Sequence, residues 1–168
     1  MRKVAVLLEN QFDEKEVIYP IIRLKEAGFE VDIVGTEKDT DYVSKSGLKE
    51  RSTHSSKEVS AEDYEGLVIP GGFSPDYMRR SEATLKLVEE MDKADKPVAA
   101  ICHGGWLLAS AADIKDKNVT SYPSIKDDLI HAGANYQDKE VVVDGNIITS
   151  RNPNDLPAFM REIIKKLG

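Results

Sequence analysis

The chain contains a single cysteine, Cys102, in the stretch 96–110, KPVAAICHGGWLLAS. Lys96 and Pro97 close a polar segment, Val98 to Ile101 form a short apolar run, and Trp106 to Ala109 suit a helix. This pattern predicts a buried strand that turns abruptly into a helix, with Cys102 on the turn. Ala100 and Gly104, two residues to either side, leave the room that so tight a turn demands. The arrangement is that of a nucleophile elbow with sulfur in place of a hydroxyl. A thiol there meets the positive end of the helix dipole and free N–H groups, so its pKa is expected below the unperturbed ~8.5. A lone cysteine is more often a small buried hydrophobe, but Ala-x-Cys-x-Gly at a strand-to-helix junction favours a reactive thiol.

The elements that must position this turn follow from the rest of the chain. Lys3 to Glu9 (KVAVLLE) reads as a central parallel strand. Asp13 suits a helix N-cap, with Glu16 three residues on at capping-box spacing. The helix carries Val17, Ile18, Ile21, Ile22 and Leu24 and stops at Gly28, and Pro20 is expected to kink or divide it. Val31 to Val34 forms a second strand and closes a β-α-β unit. Within the polar residues 36–58, Val43, Gly47 and Leu48 suggest a small hairpin. His54 reads as a solvated loop residue, since no second ligand type stands at metal spacing.

A brief capped helix over Ser60 to Tyr64 leads to a third strand, Gly66 to Ile69, ending in Pro70-Gly71-Gly72. A glycine pair at such an end lets backbone N–H groups approach a ligand, although glycine pairs also form plain turns. Ser74 and Pro75 open a helix, and Ala83 to Ala94 form an amphipathic one. Asn118 to Tyr122 is read as a strand and Ser124 to Ala132 as a helix ended by Gly133, with His131 complementing its dipole. Glu140 to Val143 and Ile147 to Ser150 make a hairpin around Asp144-Gly145-Asn146, and Asn154 to Leu167 a closing amphipathic helix. The alternation predicts a doubly wound α/β sandwich, one domain over 1–168, with its ligand site beyond the C-terminal ends of the strands.

Composition sets the bounds. The 168 residues are 40% hydrophobic and 32% charged, with a net charge of −7, which suits a soluble globule. No basic stripe offsets the acid, so neither nucleic acid nor an anionic membrane is an expected partner. The opening apolar run, Val4 to Leu8, is too short for a signal sequence, and a cytoplasmic location is expected. One cysteine excludes an intrachain disulfide and a cysteine-cluster metal site. Neither G-x-G-x-x-G nor G-x-x-x-x-G-K is present, and no cofactor or metal is expected.

Three loops then converge: Glu9 to Asp13, Pro70 to Asp76 and Cys102 to Gly105. Together they hold a thiol, an imidazole, carboxylates and two glycine turns. These suit attack by a thiolate on a carbonyl, with the N–H groups of Gly72 and His103 placed to hold an oxyanion. Cys102 and His103 are neighbours on a turn, so their side chains diverge unless the backbone is strained, and His103 is expected to tune the field around the thiolate rather than abstract its proton.

Residues 68–72 (VIPGG), 98–104 (VAAICHG), 121–133 (SYPSIKDDLIHAG) and 149–156 (TSRNPNDL) resemble the PfpI family of intracellular protease I-like proteins. That family belongs with the parkinsonism-associated protein deglycase in the class I glutamine amidotransferase-like superfamily. The resemblance implies a flavodoxin-like three-layer α/β/α sandwich with a mostly parallel central sheet. It also implies a homo-oligomer, at least a dimer and sometimes a hexamer, and cysteine-dependent protease, deglycase or glyoxalase chemistry. The partners implied are small carbonyl compounds, glycated proteins or peptides.

By the same resemblance Cys102 is the nucleophile, His103 its adjacent histidine and Gly72 the oxyanion glycine. Asp13 stands where the family has a glutamate that contacts the cysteine. Asp76 stands where a glutamate reaches a neighbouring subunit's histidine. Glu14 and Glu16 offer substitutes, Glu14 pointing elsewhere on the helix, and Glu16 and Tyr122 are secondary candidates. Gly105 and Trp106 replace the usual proline and glutamine. The rival expectation is a non-enzymatic stress sensor or chaperone-like protein using the same cysteine. A glutamine amidotransferase would want a histidine-x-glutamate pair where this chain has Asn152 to Leu156.

Overall fold

A computed structural model describes all residues, 1–168. The core is a seven-stranded sheet in the order β10-β11-β7-β6-β1-β2-β5. Its members are β1 (Lys3–Leu7), β2 (Glu30–Gly35), β5 (His54–Ser55), β6 (Gly66–Ile69), β7 (Val98–Ile101), β10 (Val142–Asp144) and β11 (Ile147–Ser150). All pairings are parallel except β10 with β11, which is a hairpin. Two short ladders stand outside it: β3 (Asp41–Val43) with β4 (Lys49–Arg51), and β8 (Asn118–Val119) with β9 (Asn135–Tyr136).

The strand period of two sorts the core into layers. Ala5, Leu7, Leu67, Ile69, Val98 and Ala100 face one layer, formed by α3 (Glu82–Lys93) and α4 (Gly105–Ala111). Val4, Val6, Leu8, Val68, Ala99 and Ile101 face the other, formed by α1 (Glu14–Glu26) and α6 (Leu156–Leu167). The short helices α2 (Ser74–Met78) and α5 (Lys126–His131) complete the connections. This is the expected three-layer sandwich, and the ends of β1, β6 and β7 open side by side in the middle of the sheet.

Several local expectations change. Helix α1 runs unbroken through Pro20, which is buried within it. The residues after Gly35 form the anticipated hairpin, but His54 belongs to an edge strand paired with Val34 and lies 3.7 Å from Asp32. The strand expected over Asn118 to Tyr122 lasts two residues and joins β9 instead of the main sheet. Its continuation is held at the site, where the Tyr122 N–H donates to the Cys102 carbonyl at 3.2 Å. No helix is long and apolar enough to cross a membrane.

Candidate active site

Cys102 begins a 3-10 turn over Cys102–Gly104 that joins β7 to α4. Its φ is +61°, a left-handed conformation that a side-chain-bearing residue adopts only when its surroundings enforce it. The enforcement is close packing. A methyl group on Gly104 would stand 2.6 Å from the Ile69 carbonyl oxygen, and one on Gly71 would stand 2.7 Å from the Cys102 Cβ. Gly72, at φ +69°, is pressed against the first loop in the same way: an added Cβ would lie 2.5 Å from the Gln11 carbonyl oxygen. The Phe73 N–H donates to that carbonyl at 2.8 Å, which ties the loops after β1 and β6 together.

The strained turn brings the neighbouring side chains together instead of letting them diverge. Cys102 Sγ lies 3.3 Å from His103 Nδ1. The imidazole stacks on Tyr122 (centroids 4.9 Å apart, planes 25° apart) and meets the edge of Trp106 at 5.3 Å. Its other nitrogen, Nε2, is 3.1 Å from Ser124 Oγ. Trp106 is itself held by Asp128, which accepts its indole N–H at 2.7 Å. The backbone N–H groups of Gly72 and His103 both face the sulfur.

The carboxyl at the thiol belongs to Glu16, not Asp13. Asp13 caps α1, accepting from the N–H groups of Lys15 and Glu16, and pairs with Lys45 at 2.9 Å. The capping-box spacing is not used by Glu16. Its Oε1 accepts the Gly71 N–H at 3.0 Å, and its Oε2 is buried without a partner. Burial, reinforced by the Asp13 charge, pushes the Glu16 carboxyl up to about 8, so it is protonated at neutral pH. Glu14 points elsewhere, to Ser44. Helical periodicity carries the signal for Glu16: it shares the inward stripe of Val17, Pro20, Ile21 and Leu24.

The expectation of a depressed thiol pKa is corrected as well. Burial pushes the Cys102 thiol up to about 12, aided by the Glu16 charge and opposed by the N–H groups of His103 and Gly72. The helix dipole does not compensate, because α4 is a short helix that starts beyond a 3-10 turn. His103 is lowered from its ordinary value by burial and by the Lys45 ammonium. The resting pair at pH 7 is therefore a neutral thiol beside a neutral imidazole. Asp76, in α2, is paired with Arg80 within the chain. No group of three His, Cys, Asp or Glu side chains is arranged to hold a metal ion.

A left-handed cysteine at a strand end, two inward N–H groups and a buried protonated glutamate define a cysteine-centred site on a doubly wound sheet. The sequence profile of the DJ-1/PfpI family matches residues 2–166. The chain belongs to that family. It is 44% identical over 165 residues to a deglycase of Pyrococcus horikoshii, covering 98% of this chain and 99% of that one. It is 43% identical over 165 residues to the deglycase PfpI of Pyrococcus furiosus, with the same coverage. Among solved structures, a two-domain protein of Anabaena variabilis with DJ-1/ThiJ/PfpI-like and ferritin-like domains superposes with a TM-score of 0.97 at 40% identity, over 100% of this chain and 48% of that one.

Proposed function

We propose that the protein is a cysteine-dependent hydrolase of the deglycase type, acting on small carbonyl compounds and their adducts with amines. One observation carries the reading: Cys102 is held at φ +61° with its sulfur among two backbone N–H groups, the His103 imidazole and a protonated Glu16. The 44% identity to a protein named deglycase supports the same class.

In the proposed reaction the Cys102 sulfur forms a bond to the carbonyl carbon as its proton leaves to His103 Nδ1. The carbonyl π pair moves onto oxygen, beside the N–H groups of Gly72 and His103. Glu16, being neutral, adds no charge to repel the sulfur as it gains negative character. With methylglyoxal, hydrogen passes from the aldehyde carbon to the ketone carbon, and water then cleaves the resulting thioester. The net change is addition of one water to give lactate, with no external oxidant or reductant.

A substrate panel of methylglyoxal, methylglyoxal-modified amino acids and a peptide, run on wild type and Cys102→Ala, tests this. Lactate release by wild type that falls to background in the variant is the expected result. Stoichiometric oxidation of Cys102 by peroxide with no lactate at any concentration would instead identify a redox sensor.

A further inference from the structure

We propose that Ser124 is a positioning residue: by accepting the Nε2–H of His103, it holds the imidazole in the tautomer whose bare Nδ1 takes the proton of Cys102. The inference rests on the reading of Cys102 as nucleophile. The Ser124 hydroxyl completes the imidazole's hydrogen bonding within one chain.

The geometry forms a single line through the ring, Sγ to Nδ1 at 3.3 Å and Nε2 to Ser124 Oγ at 3.1 Å. The polarity of that line follows from what the sulfur needs. Cys102 carries its proton at neutral pH; the two backbone groups facing it, the N–H of Gly72 and the N–H of His103, are donors only, and the Glu16 carboxyl beside it is itself protonated, with Oε1 taken by the Gly71 N–H. An S–H in that position requires an acceptor, and Nδ1 supplies one only when bare. A neutral imidazole then carries its hydrogen on Nε2, where Ser124 Oγ receives it. Ser124 is exposed in the 3-10 turn Pro123–Ile125 and caps no helix with its side chain. Tyr122 and Trp106 prevent the ring from turning away.

The charged and titratable groups around the imidazole are consistent with this assignment. Lys45, on the β3–β4 turn, disfavours imidazolium, as does burial. Glu16 and Asp13 act on the thiol from α1 and its cap. Tyr122 offers its ring face, and Arg79 and Asp128 reach Trp106, not the imidazole. As the S–C bond forms, the S–H bond breaks, the proton passes to Nδ1, and the imidazolium keeps its Nε2–H on Ser124.

Two measurements that need no substrate test the proposal. Nitrogen-15 NMR of histidine-labelled protein, with only His54, His103 and His131 to distinguish, reads the tautomer directly. The expected result is Nε2–H for His103 in wild type and a mixed population in Ser124→Ala. Iodoacetamide alkylation of Cys102 at pH 7, followed by intact mass, is expected to slow by about 3- to 10-fold in Ser124→Ala and to recover within about twofold in Ser124→Thr. Ser124→Asp places a carboxylate on Nε2 and should move the acidic limb of the alkylation profile up by about one pH unit.

An Nδ1–H tautomer in wild type, or a Ser124→Ala protein with unchanged tautomer and rate, overturns the proposal. So does a slowing confined to Asp76→Ala, the residue that the resemblance sets against a neighbouring subunit's histidine. Because these readouts use only the thiol and the ring, they separate failure at Ser124 from failure of the deglycase reading, which lactate release decides.

Discussion

At the residue scale, Glu16 and Cys102 behave as two buried acids that both resist ionisation. The Glu16 carboxyl, with its ordinary value of 4.5, titrates near 8 in the folded chain. The folded state therefore keeps a proton that the unfolded state releases above about pH 4.5, and stability falls as pH rises from there to about 8. Glu16→Gln keeps an acceptor for the Gly71 N–H and removes the titration. Denaturant unfolding at pH 5 and pH 8 should show wild type losing on the order of 3–4 kcal/mol more than the variant across that window. Parallel pH dependences in the two proteins would show that Glu16 titrates normally. The same substitution removes the carboxylate charge that raises Cys102, so the thiol should alkylate with a lower apparent pKa in Glu16→Gln than in wild type. In wild type the value should lie above ~8.5.

At the element scale, Asp13 and Gly72 show how the loops hold the site. Asp13 satisfies two N–H groups at the start of α1, the helix that carries Glu16 inward. Asp13→Ala should cost about 1 kcal/mol in urea unfolding while Asp13→Asn, which can still cap, costs much less. An equal loss in both would assign the effect to the Lys45 ion pair instead. Gly72 has a positive φ and no space for a side chain against Gln11 and Phe12. Gly72→Ala should destabilise by roughly 1–3 kcal/mol and displace an N–H that faces the sulfur. A fully active, equally stable Gly72→Ala protein would contradict the role of this close approach.

At the scale of the whole molecule, the sandwich brings three chain segments to one point because β1, β6 and β7 are adjacent in the sheet. A homo-oligomer is proposed on the resemblance to the family. Light scattering is expected to give at least twice the 18.7 kDa chain mass. A monodisperse 18.7 kDa particle at working concentration would refute it. Asp76 engages Arg80 in the single chain, and its contact with a neighbour would require that pair to open.

Much of this was legible in the residues themselves. Apolar runs and helix-ending glycines are local signals, so the alternation of strands and helices, the strand-to-helix turn at Cys102 and the P-G-G turn could be read along the chain. The choice of Glu16 over Asp13 needed tertiary structure, because a capping box and a buried catalytic-style carboxyl share the same spacing. The Gly71 N–H, fifty-five residues away, decides where Glu16 turns. The sign of the thiol's pKa shift likewise depended on burial, which no local pattern reports, and it reversed the expectation from the helix dipole. The role of Ser124 escaped notice for the same reason: the sequence placed it only at the start of the helix expected over Ser124 to Ala132, which in the structure begins at Lys126 after a 3-10 turn. Only the packing of that turn against His103, through Tyr122, brings its hydroxyl to the imidazole.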